Sequence, residues 1–320
     1  MTSAVGGLRR LRSELPLLAI AVGLGVLALL APAWLKSEPA SLPSARLVVA
    51  DLRGQALVVT DLPDGSVRRI ELPGGPHEIV ELPDGRVVAS LEQAGRLAVV
   101  DLDTGAVDAV ETGGFPHGLA LQGGELLVTD RAIDATRRFD VATWAEVGAL
   151  IGGSTPHAVV AGPDYVAIAS AGDNTLRIDD RALPVSALPE TVAISPDGSR
   201  LAVAGAFGGR VQWFGVDGTP LLDVPLGERP VRTVFAPDGH TLAVALSAGG
   251  EAALVGEDGS VRRVVTGGVP DGLAFDASGA WLFVSDMAGG HVSAVDVASG
   301  VAKWRARLGE SAGALLLLAP

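Results

Sequence analysis

The 320-residue sequence contains no cysteine. Disulfide frameworks, thiolate metal sites, cysteine nucleophiles and covalent c-type haem attachment are thereby excluded, while any redox compartment stays open. Tyrosine occurs once and aromatic residues make up 4% of the chain. Lysine is confined to Lys36 and Lys303, so arginine carries the positive charge, a bias we read as genomic. No long amphipathic helical pattern occurs. No P-loop is present, so a P-loop nucleotide site lacks support.

Glycine and proline are abundant, with 42 and 20 residues, which suits many short strands joined by tight turns. Net charge is −13. Residues 1–36 hold four bases (Arg9, Arg10, Arg12, Lys36) and one acid (Glu14), so the remaining 284 residues sit near −16. A domain this acidic is a poor candidate for nucleic-acid binding.

Arg9, Arg10 and Arg12 precede a 21-residue apolar run from Leu15 to Leu35. A spanning helix needs ~20 residues and a secretory h-region ~7–15. Residues 1–36 therefore read as a membrane anchor or, with Ala31-Pro32-Ala33 as the cleavage site, a signal peptide. Either places the rest of the chain outside the cytoplasm, because the arginine cluster keeps the N-terminus inside. Residues 37–45 read as a linker, and residues 46–320 as one domain.

A proline-led motif recurs through that domain. Pro76, Pro116, Pro156, Pro189, Pro230 and Pro270 are spaced 40, 40, 33, 41 and 40 apart. Repeats of this period must bury their faces against one another. From Pro270, the unit reads as four strands: "DGLAFDA", "AWLFVSD", "HVSAVDV" and "VAKWRARL". Four antiparallel strands in ~40 residues make one propeller blade. Asp-Gly pairs at 64–65, 84–85, 197–198, 217–218, 238–239 and 258–259 are read as hairpin turns. The segment after the linker supplies a second, third and fourth strand, and "AGALLLLAP" resembles a lone first strand. Together they complete one blade and leave no open edge. The expected fold is all-β, a seven-bladed propeller with blades 46–75 plus 312–320, 76–115, 116–155, 156–188, 189–229, 230–269 and 270–311.

The segments "PETVAISPDGSRLAVAG", "RVQWFGVDG", "PDGLAFDASGAWLFVSD" and "HVSAVDVASG" resemble the repeat of the YVTN family of seven-bladed propellers. The resemblance covers almost everything after residue 45. It departs in the scarcity of tyrosine on second strands and in the absent Pro-Asp-Gly turn of the fourth blade. It implies the fold but no single activity, since relatives of this architecture include lactonases, a streptogramin lyase, electron-transfer enzymes and binding proteins.

In a propeller the first strand of each blade lines the central channel. The loop entering it shares a face with the loop between strands two and three. One set of candidate residues follows the repeat proline: His77, His117, His157, Glu190, Val231 and Asp271. A second set ends the second strands: Asp51, Glu92, Asp130 and Asp286, with Arg131 beside them; Arg232 lies one step past Val231. Three of the five histidines occupy one position in consecutive blades. They read as ligands of a divalent metal ion, for which imidazoles suit zinc, copper, iron or nickel, or as general acids and bases. A structural reading stands beside these, in which each imidazole caps the entering loop by bonding a neighbouring blade. His240 and His291 fall outside the ring. Trp144, Trp213, Trp281 and Trp304 read as packing between blades.

Two functions follow. One is a binding module that presents an acidic, His-containing channel mouth to a small molecule or a protein. The other is a metal-dependent, lactonase-like hydrolase or lyase, with His77, His117 and His157 as ligands or bases and Glu190 and Asp271 assisting. An electron-transfer role with a cofactor from a partner is a third.

Overall fold

The computed structural model describes residues 41–63 and 65–319. The segment read as anchor or signal, and linker residues 37–40, lie outside the described residues. No helix among the described residues is long and apolar enough to cross a membrane.

The chain forms seven four-stranded antiparallel sheets. Blade one takes its inner strand from the C-terminus, in the order β28 (Ala312–Leu318), β1 (Ala45–Asp51), β2 (Ala56–Leu62), β3 (Val67–Glu71). Arg46 pairs with Leu318 and Asp51 with Ala312, which closes the ring. Blades two and three run in order through β4 (Ile79–Glu81), β5 (Val87–Leu91), β6 (Arg96–Val100), β7 (Val107–Glu111), and β8 (Pro116–Gln122), β9 (Glu125–Asp130), β10 (Ala135–Asp140), β11 (Glu146–Ile151). Blade four is β12 (Pro156–Ala161), β13 (Val166–Ser170), β14 (Thr175–Ile178), β15 (Arg181–Pro184). Blade five is β16 (Pro189–Ile194), β17 (Arg200–Gly205), β18 (Arg210–Gly215), β19 (Pro220–Pro225). Blades six and seven are β20 (Pro230–Phe235), β21 (Thr241–Leu246), β22 (Glu251–Gly256), β23 (Val261–Val265), and β24 (Pro270–Phe275), β25 (Trp281–Asp286), β26 (His291–Asp296), β27 (Val301–Arg307). The 33-residue blade keeps all four strands because only Asp179 and Asp180 separate β14 from β15.

The hydrophobic core lies between blades. Second strands are buried on both faces, as in β5 (VVASL) and β25 (WLFVSD), so they read as unbroken apolar runs. Alternate residues serve different neighbours: Val87, Ala89 and Leu91 pack toward blade one, and Val88 toward blade three. Trp213 packs edge-on against Phe235 across the blade five–six interface, with ring centroids 5.0 Å apart. Outer strands such as β27 alternate between exposed and half-buried residues. Five of the six Asp-Gly pairs act as the expected turns, with Gly85, Gly198, Gly218, Gly239 and Gly259 at positive φ; Gly65 does not take positive φ, and Asp64 lies outside the described residues. Their aspartates bond the same turn, as when Asp238 accepts from the His240 and Thr241 amides.

Truncation before Ala312 is expected to expose the edge of β1 and remove the buried Ala312, Ala314 and Leu315. The thermal midpoint should fall by about 10 °C or more, or the protein should aggregate on heating. A differential scanning calorimetry trace matching that of the intact chain would contradict ring closure by β28.

Candidate functional site

Five of the six repeat prolines open an inner strand, and the residue after each meets a break in the ladder; Pro76 instead precedes β4, which starts at Ile79 and pairs without a slip. Register slips between Pro116 and Leu119, Pro156 and Ala158, Pro189 and Thr191, Pro230 and Arg232, and Pro270 and Leu273. A bulge leaves a residue unpaired and re-aims its side chain. The corresponding position of each blade faces the channel, seven in a ring. Blade one contributes Gly313, which adds no side chain and leaves space beside Asp271.

His77, His117 and His157 stand in a row. Ring centroids of His77 and His117 are 4.1 Å apart, and those of His117 and His157 are 4.0 Å apart. His117 is 1% exposed. Its Nδ1 bonds the His157 carbonyl at 2.8 Å, and the Nδ1 of His157 bonds the Glu190 carbonyl at 2.6 Å. A carbonyl only accepts, so each Nδ1 is the protonated nitrogen and each Nε2 carries the lone pair. The expected loop-capping role is therefore present in both residues. His77 departs from it: its Nδ1 lies 3.6 Å from Glu78 Oε1.

Glu78 is one step past the ring position of blade two, and Arg232 is one step past that of blade six. They meet across the channel. Arg232 Nη1 donates to Glu78 Oε2 and Nη2 to Oε1, both at 2.7 Å, and Nη2 lies 3.4 Å from Asp271 Oδ2. Parallel guanidinium–carboxylate bonds of this kind are strong and directional. Burial pushes the Glu78 carboxyl up, but Arg232 and His77 more than offset it and hold it well below the usual carboxylate range. Burial drives His77 down, and Glu78 reverses this to a net rise. Burial and the neighbouring imidazoles hold His117 well below its ordinary value. Burial and the nearby Arg131 lower His157 to about 4.

Above this layer a cavity of about 330 Å³ opens at the mouth. Blades two to seven all contribute to its wall, and loops between second and third strands join the ring residues there as expected. His77, His157, Glu190, Val231, Arg232 and Asp271 line it, together with Arg131 and Arg229. The mouth is not acidic, contrary to the expectation from sequence. Three guanidiniums face two carboxylates in its lining.

Asp51, Asp130 and Asp286 do not line the cavity. Asp51 accepts from the Gly54, Glu310 and Ser311 amides, Asp130 from Phe115 and Ala132, and Asp286 from Val269 and Ala288. Burial raises the Asp51 carboxyl, and Arg69 with these amides more than compensates, leaving it below its ordinary value. Each carboxylate clamps the loop entering an inner strand to the next loop of its own blade. The Gly-Gly pairs acquire a reason here. Gly114 and Gly268 take φ of 62° and 67°, and a Cβ on either would collide with Asp130 or Asp286. Glu92 sits in a one-turn 3-10 helix (Glu92–Ala94) and pairs with Arg131 at 2.8 Å.

Donor atoms of His77, Glu78 and His117 lie within 4.8 Å of one another. His157 is not in that group. Glu78, Arg229, Ser247 and Met287 were not among the residues expected from sequence. Glu78 had a signal, since it occupies in blade two the step that Arg232 occupies in blade six. A second cavity, of about 300 Å³, lies between blades three and four beside Tyr165 and Arg177, and no ring residue lines it.

No protein-family model matches the chain, and no curated protein matches it. Solved structures match its fold. A functionally unknown protein from Desulfotomaculum acetoxidans superimposes with a TM-score of 0.76 at 13% identity, over 87% of this chain and 100% of that one. A 6-phosphogluconolactonase-like protein from Bacteroides fragilis gives 0.70 at 15% identity, over 88% and 100%. Virginiamycin B lyase from Staphylococcus aureus gives 0.66 at 14% identity, over 77% and 89%. At these identities the likeness is one of fold, the seven-bladed propeller.

The buried imidazoles make the domain sensitive to acid. Unfolded His157 takes up a proton near 6.5 and folded His157 only near about 4. Between those values the unfolded state binds more protons, so this stability contribution is complete above about pH 6.5 and is lost as pH falls toward about 4. In metal-free protein the His157 Cε1–H resonance is expected to titrate near about 4, and a His157→Gln variant should flatten the decline in stability over that range. A His157 midpoint near 6.5 would contradict the burial described here.

Proposed function

We propose that this is a YVTN-type propeller, held outside the cytoplasm by its N-terminal segment, that binds a small organic anion at its channel mouth. The mouth cavity carries the reading. Its volume falls in the range of small-molecule sites, ~300–1,000 Å³. Arg131, Arg229 and Arg232 supply guanidiniums, while Val231, Val269, Pro270 and Met287 supply an apolar side. Arg131 and Arg229 each hold one carboxylate through a single nitrogen, Nη1 to Glu92 and Nη2 to Glu190. Each guanidinium has five N–H donors, so further ones are available for a carboxylate or phosphate group. The basic cluster and apolar run at residues 9–35 support the extracytoplasmic placement.

A metal-dependent hydrolase or lyase is the second reading, favoured by one observation. His77, Glu78 and His117 bring three donor atoms of the right types together beside the same cavity. A metal there would polarise a carbonyl or acidify a bound water. The lactonase-like and lyase neighbours are compatible with it, but fold likeness selects neither chemistry.

Calorimetric titration of the full-length protein with mono- and dicarboxylates and with phosphate monoesters tests the binding reading. At least one class should bind, and Arg131→Ala or Arg229→Ala should weaken it at least about tenfold, since a charged hydrogen bond contributes ~1.5–3 kcal/mol. If no anion of this size binds, or if both variants bind as tightly as the wild type, the reading fails.

A further inference from the structure

We propose that His77, Glu78 and His117 form a binding site for a divalent first-row transition metal, with one coordination position open to the mouth cavity. The inference stands on these three residues and on no assumption about the organic ligand.

Two buried ring nitrogens of this group of residues lack a hydrogen bond. His77 Nδ1 and His117 Nε2 are both buried and make no hydrogen bond. Orphaned buried polar atoms are uncommon in folded proteins and call for an explanation. A ring nitrogen from each of these two residues lies with a Glu78 carboxylate oxygen in one group no wider than 4.8 Å. Metal–ligand bonds of ~2.1 Å arranged as a tetrahedron place neighbouring donors ~3.4 Å apart. The 3.6 Å between His77 Nδ1 and Glu78 Oε1 is already close to that edge.

The surrounding groups orient the donors as second shells do. His117 gives its Nδ1 proton to the His157 carbonyl, which fixes the tautomer and points the Nε2 lone pair at the site. Arg232 holds both oxygens of Glu78, and each oxygen keeps a further lone pair. Asp271, 3.4 Å from Arg232, leaves one carboxylate charge in excess, which offsets half the charge of a dication. Two imidazoles and one carboxylate select zinc, iron, cobalt, nickel or copper over calcium and magnesium, which prefer all-oxygen shells. Three protein ligands with an open position are the arrangement of reactive rather than structural sites. His77 itself lines the cavity, so the open position faces an incoming ligand.

The test uses full-length protein without a histidine tag, stripped by chelator and titrated with Zn²⁺ against a competing indicator. One equivalent is expected per chain. His77→Ala and Glu78→Gln should each weaken binding at least about a hundredfold. His157→Ala retains the backbone carbonyl that orients His117 and should stay within about threefold of wild type. Absence of stoichiometric binding, or wild-type affinity in both His77→Ala and Glu78→Gln, overturns the site. A loss in His157→Ala equal to that in His77→Ala also overturns it, because the set would then be three imidazoles. Should Glu78→Gln fail to fold, pulsed electron paramagnetic resonance on the Cu²⁺-loaded wild type decides. Two coupled imidazole nitrogen sets support the assignment; one or three contradict it.

Discussion

The antiparallel pairing of β28 with β1 is the constraint on which everything else depends. Each blade presents two apolar faces, and neither is buried until a neighbour covers it. The seven hydrophobic clusters accordingly each join residues of two adjacent blades, with Ala314 of the last strand in the cluster between blades one and two. A ring lacking its last pairing would leave an unpaired strand edge and an uncovered interface. Closure also fixes the channel, because only a closed ring points seven inner strands at one axis.

From closure follows the chemistry of the mouth. Repetition gives each blade one inner-strand position that faces the channel, and substitution there varies what reaches it: three imidazoles, two carboxylates, a valine and a glycine. One step further along, Glu78 and Arg232 lie 154 residues apart in the chain and 2.7 Å apart in space. Their contact fills the channel below the mouth cavity. It also holds in place the carboxylate that faces His77. Arg131 then bears on His157 from a neighbouring blade, so the layer is one electrostatic unit assembled from blades two, three, four, six and seven.

The fold was legible because period and punctuation are local. The proline spacing, the Asp-Gly turns and the incomplete first blade with its matching C-terminal strand each translate directly into strands. Part of the site was legible for the same reason: residues at one repeat position must share one place in the ring. What lay beyond reach was pairing across the ring. The Glu78–Arg232 contact depends on the channel's diameter and on side-chain direction, and nothing in residues near 78 announces a partner near 232. The fates of Asp51, Asp130 and Asp286 were hidden differently. A carboxylate at a strand end can face a ligand or curl onto backbone amides, and the choice rests on the entering loop, whose glycines at 114 and 268 give the aspartates room. His117 and His157 combined both cases, with Nδ1 committed to the next blade's carbonyl and, in His117, Nε2 left without a partner.

The account's central claim is that residues from opposite blades are coupled into one site at the channel mouth. A double-mutant cycle in urea denaturation tests it directly, using Glu78→Gln, Arg232→Met and the combined variant. The account predicts a coupling of about 1–3 kcal/mol, because either single change strands a buried charge that the double change does not. Destabilisations that simply add, to within about 0.5 kcal/mol, would show that the two side chains do not depend on one another and would contradict it.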